Sequence, residues 1–592
     1  MAVLGLYWGF GSGAALFDNN GIIKAVSEER FSRVKNEDAF PMESISYCMK
    51  EISVDDVEAV ALASNESSYW YHLKRKSKWT IDDYITEQNE FWKPVLLHGK
   101  VVDQKDFLKK CIDINQYPAD YWQASIHDSK ANETFTKKDR IRIVAESVGI
   151  PENKIKIIEH HRCHAYYGYH ASPFKSESVL VMTIDGWGDG CNATINIFDK
   201  NGLCKRVFTT KDANIGRIYR YVTLILGMKP NEHEYKVMGL APYASESMAQ
   251  KAYDVFKSTL YVDGIDFKWK VKPTDSYFWF KEKLEGCRFD GIAAGMQKWV
   301  EELLCEWVKN AVELFEIPNV VLSGGVAMNI KANCEIAKLQ EVASFFVPGA
   351  PSDESLSLGA ALAHADDLRA DDSRFICNEL STLYLGPYNT YESEKNAIND
   401  INNSNWQIIE DFSAEKIAQL LFEGNIIGRC AGRMEFGARS LCNRSILADP
   451  ANISVVPKIN KAIKNRDFWM PFAPVIIDSM ADEYLVNPKG LTSEYMTIGF
   501  ETTDKGWHDF PAGCHQADQS ARPQILSKDK NPDVYEILEA FLKISKRGAL
   551  LNTSFNLHGF PIVNTPEEAI HVFEKSDLDV LVLNNYLIKK QK

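Results

Sequence analysis

His160-His161-Arg162-Cys163-His164 places three imidazoles within five residues. The apolar run Ile155–Ile158 precedes them, and the small and aromatic run Ala165–Ala171 follows. If the stretch opens a helix, His160 and His164 share one face, one turn apart. Two imidazoles at that spacing can hold one metal ion. Asp185 and Asp353 are the candidate carboxylate ligands, because each closes a strand-like run. Clustered histidines can also be plain polar residues at a helix start, but the strand-end aspartates favour the metal reading. A mixed nitrogen and oxygen set suits iron, manganese or zinc. It can orient and polarise a phosphate or carbonyl oxygen. His161 lies off the shared face, which leaves it for substrate binding or for work as a base.

A second chemistry sits near the C-terminus. The strand-like Ile426–Arg429 leads into Arg433-Met434-Glu435-Phe436-Gly437-Ala438-Arg439 and then Asn443-Arg444-Ser445. Lys464 and Arg466 follow a short helical stretch. Arginine forks among apolar residues suit phosphate, and neighbouring glycines let an anion approach the backbone. Internal ion pairs with Glu435 or Asp449 are the plainer alternative. A third feature is the strand Asn319–Leu322 running into Ser323-Gly324-Gly325-Val326-Ala327-Met328-Asn329. A strand, a double glycine and a helix start make a seat for a nucleotide or phosphate, although no dinucleotide or Walker pattern is present.

The elements that position these groups read as an α/β chain. Strand-like runs lie at 3–6, 13–17 and 22–26, with a glycine-rich loop at 9–13 and an Asn-Gly turn at 18–21. The order returns at 179–208, where Phe198-Asp199-x-Asn201-Gly202 echoes Phe17-Asp18-x-Asn20-Gly21. This is a degenerate internal repeat, whose two glycine loops would face a common cleft. Ser67–Trp79 is aromatic and basic, and it reads as a solvated helix or an acceptor wall. Pro118–Trp122 reads as helix or loop. Gln297–Phe315 reads as an amphipathic helix, Asp366–Asp372 as a charged connection, and Glu392–Asn405 as a loop or exposed helix. The first unit should end near residue 375. Thr565, with Glu568 three residues on, starts a helix as a capping box.

A chain of 592 residues suggests about two to four domains. No run approaches the about 18 apolar residues of a spanning helix, and Met1–Gly9 has no basic leader. The 12 cysteines are scattered through apolar segments without a CxxC pair, as buried thiols in a reducing compartment would be. A cytoplasmic protein with no membrane partner is therefore expected. The net charge of -14 argues against nucleic acid as a partner.

These residues resemble the O-carbamoyltransferases that modify antibiotics and nodulation factors. The resemblance runs nearly the full length. It is carried by His160-His161-x-x-His164-Ala165, Asp185-Gly186, Lys236-Val237-Met238-Gly239-Leu240-Ala241-Pro242-Tyr243 and Ser323-Gly324-Gly325-Val326-Ala327-x-Asn329. Further on come Gly432-Arg433-Met434-Glu435-Phe436-Gly437-x-Arg439, Asn443-Arg444-Ser445-Ile446-Leu447-Ala448 and Asn552-Thr553-Ser554-Phe555-Asn556.

The resemblance implies a duplicated actin-like, sugar-kinase-like N-terminal domain over residues 1–375. Residues 376–592 would form a smaller α/β domain like a threonylcarbamoyl-adenylate synthase. That domain would make carbamoyl adenylate from carbamoyl phosphate and ATP, with Mg accompanying the ATP. The N-terminal cleft would pass the carbamoyl group to a hydroxyl of a small molecule. By position, His160, His164, Asp185 and Asp353 would hold a divalent metal, with Fe(II) expected first and Mn or Zn as alternatives. Ser323, Gly324, Gly325 and Asn329 would contact nucleotide. Arg433, Arg439, Arg444 and Lys464 would bind carbamoyl phosphate or ATP. A homodimer is left open.

The chain also departs from the family pattern. Phe10 and Gly11 stand where a histidine and an aspartate are usual, and the histidine is linked to transfer. His161 is the candidate replacement. Phe560 replaces a usual glutamate, Ala438 a proline and Cys442 a glycine. Two other readings remain open on these grounds. One is a carbamoyl-adenylate-forming enzyme with a non-hydroxyl acceptor, and the other is a non-catalytic nucleotide-binding regulator.

Overall fold

A computed structural model describes residues 2–18, 21–65, 78–111, 137–371, 380–401, 405–464 and 466–591. The 1–375 boundary, Asn19-Asn20 of the first turn, Pro118–Trp122 and nearly all of Ser67–Trp79 lie outside them. The fold is α/β.

One five-stranded sheet contains β1 (Ala2–Tyr7), β2 (Gly13–Asp18), β3 (Gly21–Ser27), β4 (Val57–Ala63) and β5 (Ile155–Ile158). Its order is β3-β2-β1-β4-β5. The β1-β2-β3 part is antiparallel, while β4 and β5 add in parallel. A second sheet uses β6 (Val179–Gly188), β7 (Cys191–Phe198) and β8 (Cys204–Thr210). After a separate hairpin of β9 (Leu260–Asp263) and β10 (Asp266–Trp269), β11 (Asn319–Ser323) and β12 (Ser344–Phe346) complete it. The order β12-β11-β6-β7-β8 has the same sequence of antiparallel and parallel neighbours as the first sheet. The two echoed Asp-x-Asn-Gly segments connect β2 to β3 and β7 to β8. At the second, the Asp199 carboxylate accepts from the Asn201 and Leu203 amides and fixes the turn.

Helices His160–Ala171 and Leu356–Asp371 fill the space between these sheets, in one core with strand residues from both. Their approach needs glycine. A Cβ on Gly359 would lie 2.1 Å from the Cys163 carbonyl oxygen, and one on Gly5 2.0 Å from the Ser357 carbonyl oxygen. Asp366–Asp371 is the last part of a helix and not a connection: Asp367 faces outward while Leu362, Ala363 and Ala365 stay buried. Likewise 391–399 is a helix, capped by the Thr390 hydroxyl. The helix expected at Gln297 starts eight residues earlier, at Phe289. Gly291 and Gly295 let that first part lie against the backbone of Met248 and Tyr253.

Eight strands between Trp406 and Lys590 form the third large sheet: β13 (Trp406–Glu410), β14 (Ile427–Cys430), β15 (Arg444–Ala448), β16 (Ala473–Ile477), β17 (Gln524–Leu526), β18 (Ala549–Ser554), β19 (Val580–Val582) and β20 (Tyr586–Lys590). Their order is β13-β20-β19-β14-β15-β18-β16-β17. Helices Ala414–Phe422 and Pro532–Ser545 cover one face through a core of their own. No helix among the described residues is long and apolar enough to cross a membrane.

Candidate active site

The Glu159 side chain accepts from the Arg162 amide and starts the helix just after β5. The first helical turn therefore faces the end of β6, where the ladder breaks between Ile184 and Gly188. His160 Nε2 lies 3.1 Å from Asp185 Oδ2 and 3.2 Å from His164 Nε2. Asp353 enters from the turn after β12, and its Oδ1 is 3.6 Å from each histidine Nε2. His164 Nε2 is 3.5 Å from Asp185 Oδ2. Two outer contacts steady the group. Tyr7 donates its hydroxyl to Asp353 Oδ2 at 3.0 Å, and the His160 amide donates to Asp189 Oδ2 at 2.8 Å.

The charges in this cluster are interdependent. Burial disfavours the His160 cation, but Asp353, followed by Asp185, raises its pKa to about 9. Burial also disfavours the Asp185 anion, yet hydrogen bonds from His160 and His164 hold it well below the usual carboxylate range. Asp353 is pushed up by burial and then by the Asp185 charge.

All four donor groups lie within 4.8 Å of one another. Ligands about 2.1 Å from one ion stand about 3.0–3.4 Å apart, which is close to the spacing seen here. Asp353 Oδ1, the oxygen turned toward both histidines, is a buried atom with no hydrogen-bond partner. The residues therefore fit a divalent metal.

A cavity of about 970 Å³ opens beside the cluster and reaches the C-terminal sheet. Arg439, Arg466 and Arg522 line it. Burial, then the charges of Arg439 and Arg466, holds Arg522 well below its ordinary pKa. Burial also presses Arg466 down to about 10. No carboxylate forms an ion pair with any of the three among the described residues, and guanidinium groups so placed can receive an anion. Lys464 sits just behind. Its ammonium donates to Ser554 Oγ at 3.0 Å and Asn556 Oδ1 at 2.7 Å, both residues lining the cavity. Tyr235, from the helix Glu234–Leu240, lines the same space between cluster and arginines. Glu354 also lines it, and burial raises its carboxyl to about 7.

One π-helical turn borders this cavity and a second lies near it. One, Gln88–Trp92, interrupts a helix and places Gln88 and Trp92 on the wall. The other, Asn460–Lys464, ends beside Arg466. Such turns recur at functional sites.

The candidate residues divide by location. His160, Asp185, Asp353, Gly325, Asn329 and Arg439 line the cavity, and His164 completes the metal cluster. Asn329 also caps the helix Ile330–Lys338 and pairs with Gln297. Ser323 and Gly324 stay behind the wall, with Gly324 at φ 99° against the Ile184 carbonyl.

Three expectations need correction. His161 is fully buried, with Nδ1 2.8 Å from Thr183 Oγ1 and Nε2 3.3 Å from the Cys191 carbonyl oxygen. Burial, then the charges of His160 and His164, keeps it far below the usual imidazole pKa, and its ring faces the β6–β7 pair and does not line the cavity. Arg433 donates to the Ile23, Leu385 and Gly386 carbonyls. Arg444 donates to those of Ala431, Gly432 and Asn443. Neither lines the cavity, because their forks satisfy turn carbonyls. Arg522 escaped the sequence reading: it stands alone between Ala521 and Pro523, with no local signal. Arg466, which stands with Lys464 in the basic run of the sequence, does line the cavity. Phe10, Ala438 and Phe560 all line the cavity, so three departures from the family pattern fall on its wall.

Known proteins match along this whole architecture. Residues 3–362 match the family description "Carbamoyltransferase N-terminus", and residues 418–590 match "Carbamoyltransferase C-terminus". An uncharacterised protein of Methanocaldococcus jannaschii is 30% identical, with 100% of each chain covered. Nodulation protein NolNO of Sinorhizobium fredii is 28% identical over 98% of this chain and 79% of its own length. Among solved structures, a ROK hexokinase from Thermus thermophilus aligns at 15% identity with a TM-score of 0.29, covering 62% of this chain and 100% of that one. The chain belongs to the carbamoyltransferase family and is an enzyme of ATP- and carbamoyl-phosphate-dependent carbamoyl transfer.

Proposed function

We propose that the protein is an O-carbamoyltransferase that works in two stages within one cavity. Carbamoyl phosphate, ATP and water would give carbamoyl adenylate, phosphate and pyrophosphate beside Arg439, Arg466, Arg522 and Lys464. A hydroxyl of a small molecule would then attack the carbamoyl carbon at the His-Asp cluster. Its oxygen forms the new C–O bond, the bond to the AMP phosphate oxygen breaks, and the hydroxyl proton leaves. The continuity of the cavity from the His160-His164-Asp185-Asp353 cluster to the three unpaired guanidinium groups carries this reading. The matching strand orders of the two N-terminal sheets support descent from a duplicated actin-like unit.

A divalent metal, Fe(II) first by the family resemblance with Mn or Zn as alternatives, would polarise the carbonyl or phosphate oxygen when bound. The chain's own residues do the remaining work. Arg439, Arg466 and Arg522 would neutralise phosphate oxygens, and Asn329 with the Gly325 backbone would meet the nucleotide. Glu354 stands where it can take a proton, with a carboxyl near neutrality.

The test is turnover with ATP, carbamoyl phosphate and a divalent metal. Pyrophosphate release that requires both substrates, with carbamoyl adenylate seen by mass, supports the activation stage. Binding of nucleotide without any turnover across Fe(II), Mn(II) and Zn(II) would sink it and favour a regulator.

A further inference from the structure

One guanidinium on the N-terminal side of the cavity has no role in either stage. Arg217 lines the cavity from the helix Ile215–Ile225. Its guanidinium lies 4.6 Å from the centre of the Trp187 ring. No carboxylate pairs with it among the described residues, and the ionisable groups acting on it are Tyr221 and another cation, Arg220.

Close backbone packing fixes this pair beside the metal cluster. A Cβ on Gly216 would fall 3.1 Å from both Cα and N of Gly186, so the helix start lies against the residue after Asp185. A Cβ on Gly188 would fall 2.1 Å from the His160 ring. Trp187 is thus held between two points of close contact, and Arg217 follows one of them directly. Stacking on an indole face orients a guanidinium and leaves its edge free for a planar or tetrahedral anion. Activation chemistry has its own arginines, Arg439, Arg466 and Arg522, from the C-terminal part of the chain.

We propose that Arg217, held on Trp187, is a specificity-determining residue that binds an anionic group of the acceptor, so that the preferred acceptor is a hydroxyl compound bearing a carboxylate or phosphate. This rests on the carbamoyl-transfer reading. Unpaired cationic charge beside the attack site favours such an acceptor over a neutral or cationic one.

The experiment uses the full-length metal-loaded enzyme with ATP and carbon-labelled carbamoyl phosphate. Acceptors are offered in sets that differ in charge: glucose, glucuronate and glucose 6-phosphate, then glycerol, glycerate and glycerol 3-phosphate. Label should pass to anionic members of a set and not to its neutral member. Arg217→Met should raise the KM for the anionic acceptor by about 10- to 100-fold, while pyrophosphate release without acceptor stays within about two-fold. Arg217→Lys, which keeps charge but loses the planar fork, should fall between. Equal labelling of neutral and anionic members, or no effect of Arg217→Met on labelling, overturns the proposal. So does label on none of the six while activation proceeds. If Arg217→Met slows activation itself, the guanidinium serves the nucleotide and the proposal also fails. Absence of pyrophosphate release in the wild type would instead be a failure of the carbamoyl-transfer reading, so the two are separable.

Discussion

His160 and His164 cannot both direct a proton across the 3.2 Å that separates their Nε2 atoms. A metal needs both nitrogens bare, and His160 keeps its proton up to about pH 9 because two carboxylates face it. Protons therefore compete with the ion, and they lose as pH rises towards 9. Calorimetric titration with Mn(II) should give tighter binding at about pH 8.5 than at about pH 6.5. Equal affinity at the two would contradict the coupling. The arginines separate just as sharply by what they touch. Arg439→Met should raise the KM for carbamoyl phosphate or ATP by about 10-fold or more and leave thermal stability near wild type. Arg444→Met should do the reverse. It strips donors from several buried carbonyls, at about 2–3 kcal/mol in denaturant unfolding. A stable Arg444→Met with a substrate defect would reverse the assignments.

At the end of β6 the chain positions the metal ligands through what is missing from it. Gly188→Ala would drive a methyl group into the His160 ring. We expect metal content to fall although no ligand is altered, with a stability loss of about 1–3 kcal/mol. Gly186→Ala, whose Cβ meets nothing within 4 Å, should retain metal and serves as the control. Metal analysis of the two purified variants decides it. The histidine pair was legible in the sequence because helical spacing alone puts residues 160 and 164 on one face, and the strand-end aspartates followed from the apolar runs before them. Helix His160–Ala171 and the turn at Asp199 could be read for the same reason, since local sequence determines them. The arginine site was legible only in part: Arg439 and Arg466 stood in the basic run, whereas Arg522 comes from a separate segment that only tertiary packing brings to them. Arg433 and Arg444 sit beside glycines, as an anion site would require, yet the turns there had carbonyls to satisfy. His161 was misjudged because facing away from the metal was read as facing substrate, when a strand pair lay behind it.

Across the whole molecule, the two halves share cores and meet at more than an interface. The core under the second sheet includes Ile476, Tyr484, Phe500, Phe510 and Ala549. The core around helix His160–Ala171 includes Phe436, Leu441, Ala473 and Tyr495. Polar ties cross as well: Lys236 pairs with Asp467 at 2.9 Å, and His515 Nε2 lies 2.7 Å from the Gly239 carbonyl oxygen. Residues 1–371 expressed alone should therefore expose apolar surface, bind a hydrophobic dye and aggregate, while the full chain melts in one transition. Independent two-step melting of the full chain would contradict this. The π-helical turns at Gln88–Trp92 and Asn460–Lys464 carry a different kind of information. Each wider turn accommodates one residue more than the α-helical path needs. At Gln88–Trp92, gain or loss of a single codon can advance or withdraw a wall side chain while the flanking helices keep their places. That wall of the cavity can thus be retuned across a lineage by insertion and deletion, a route of divergence that a comparison of substitutions alone would overlook.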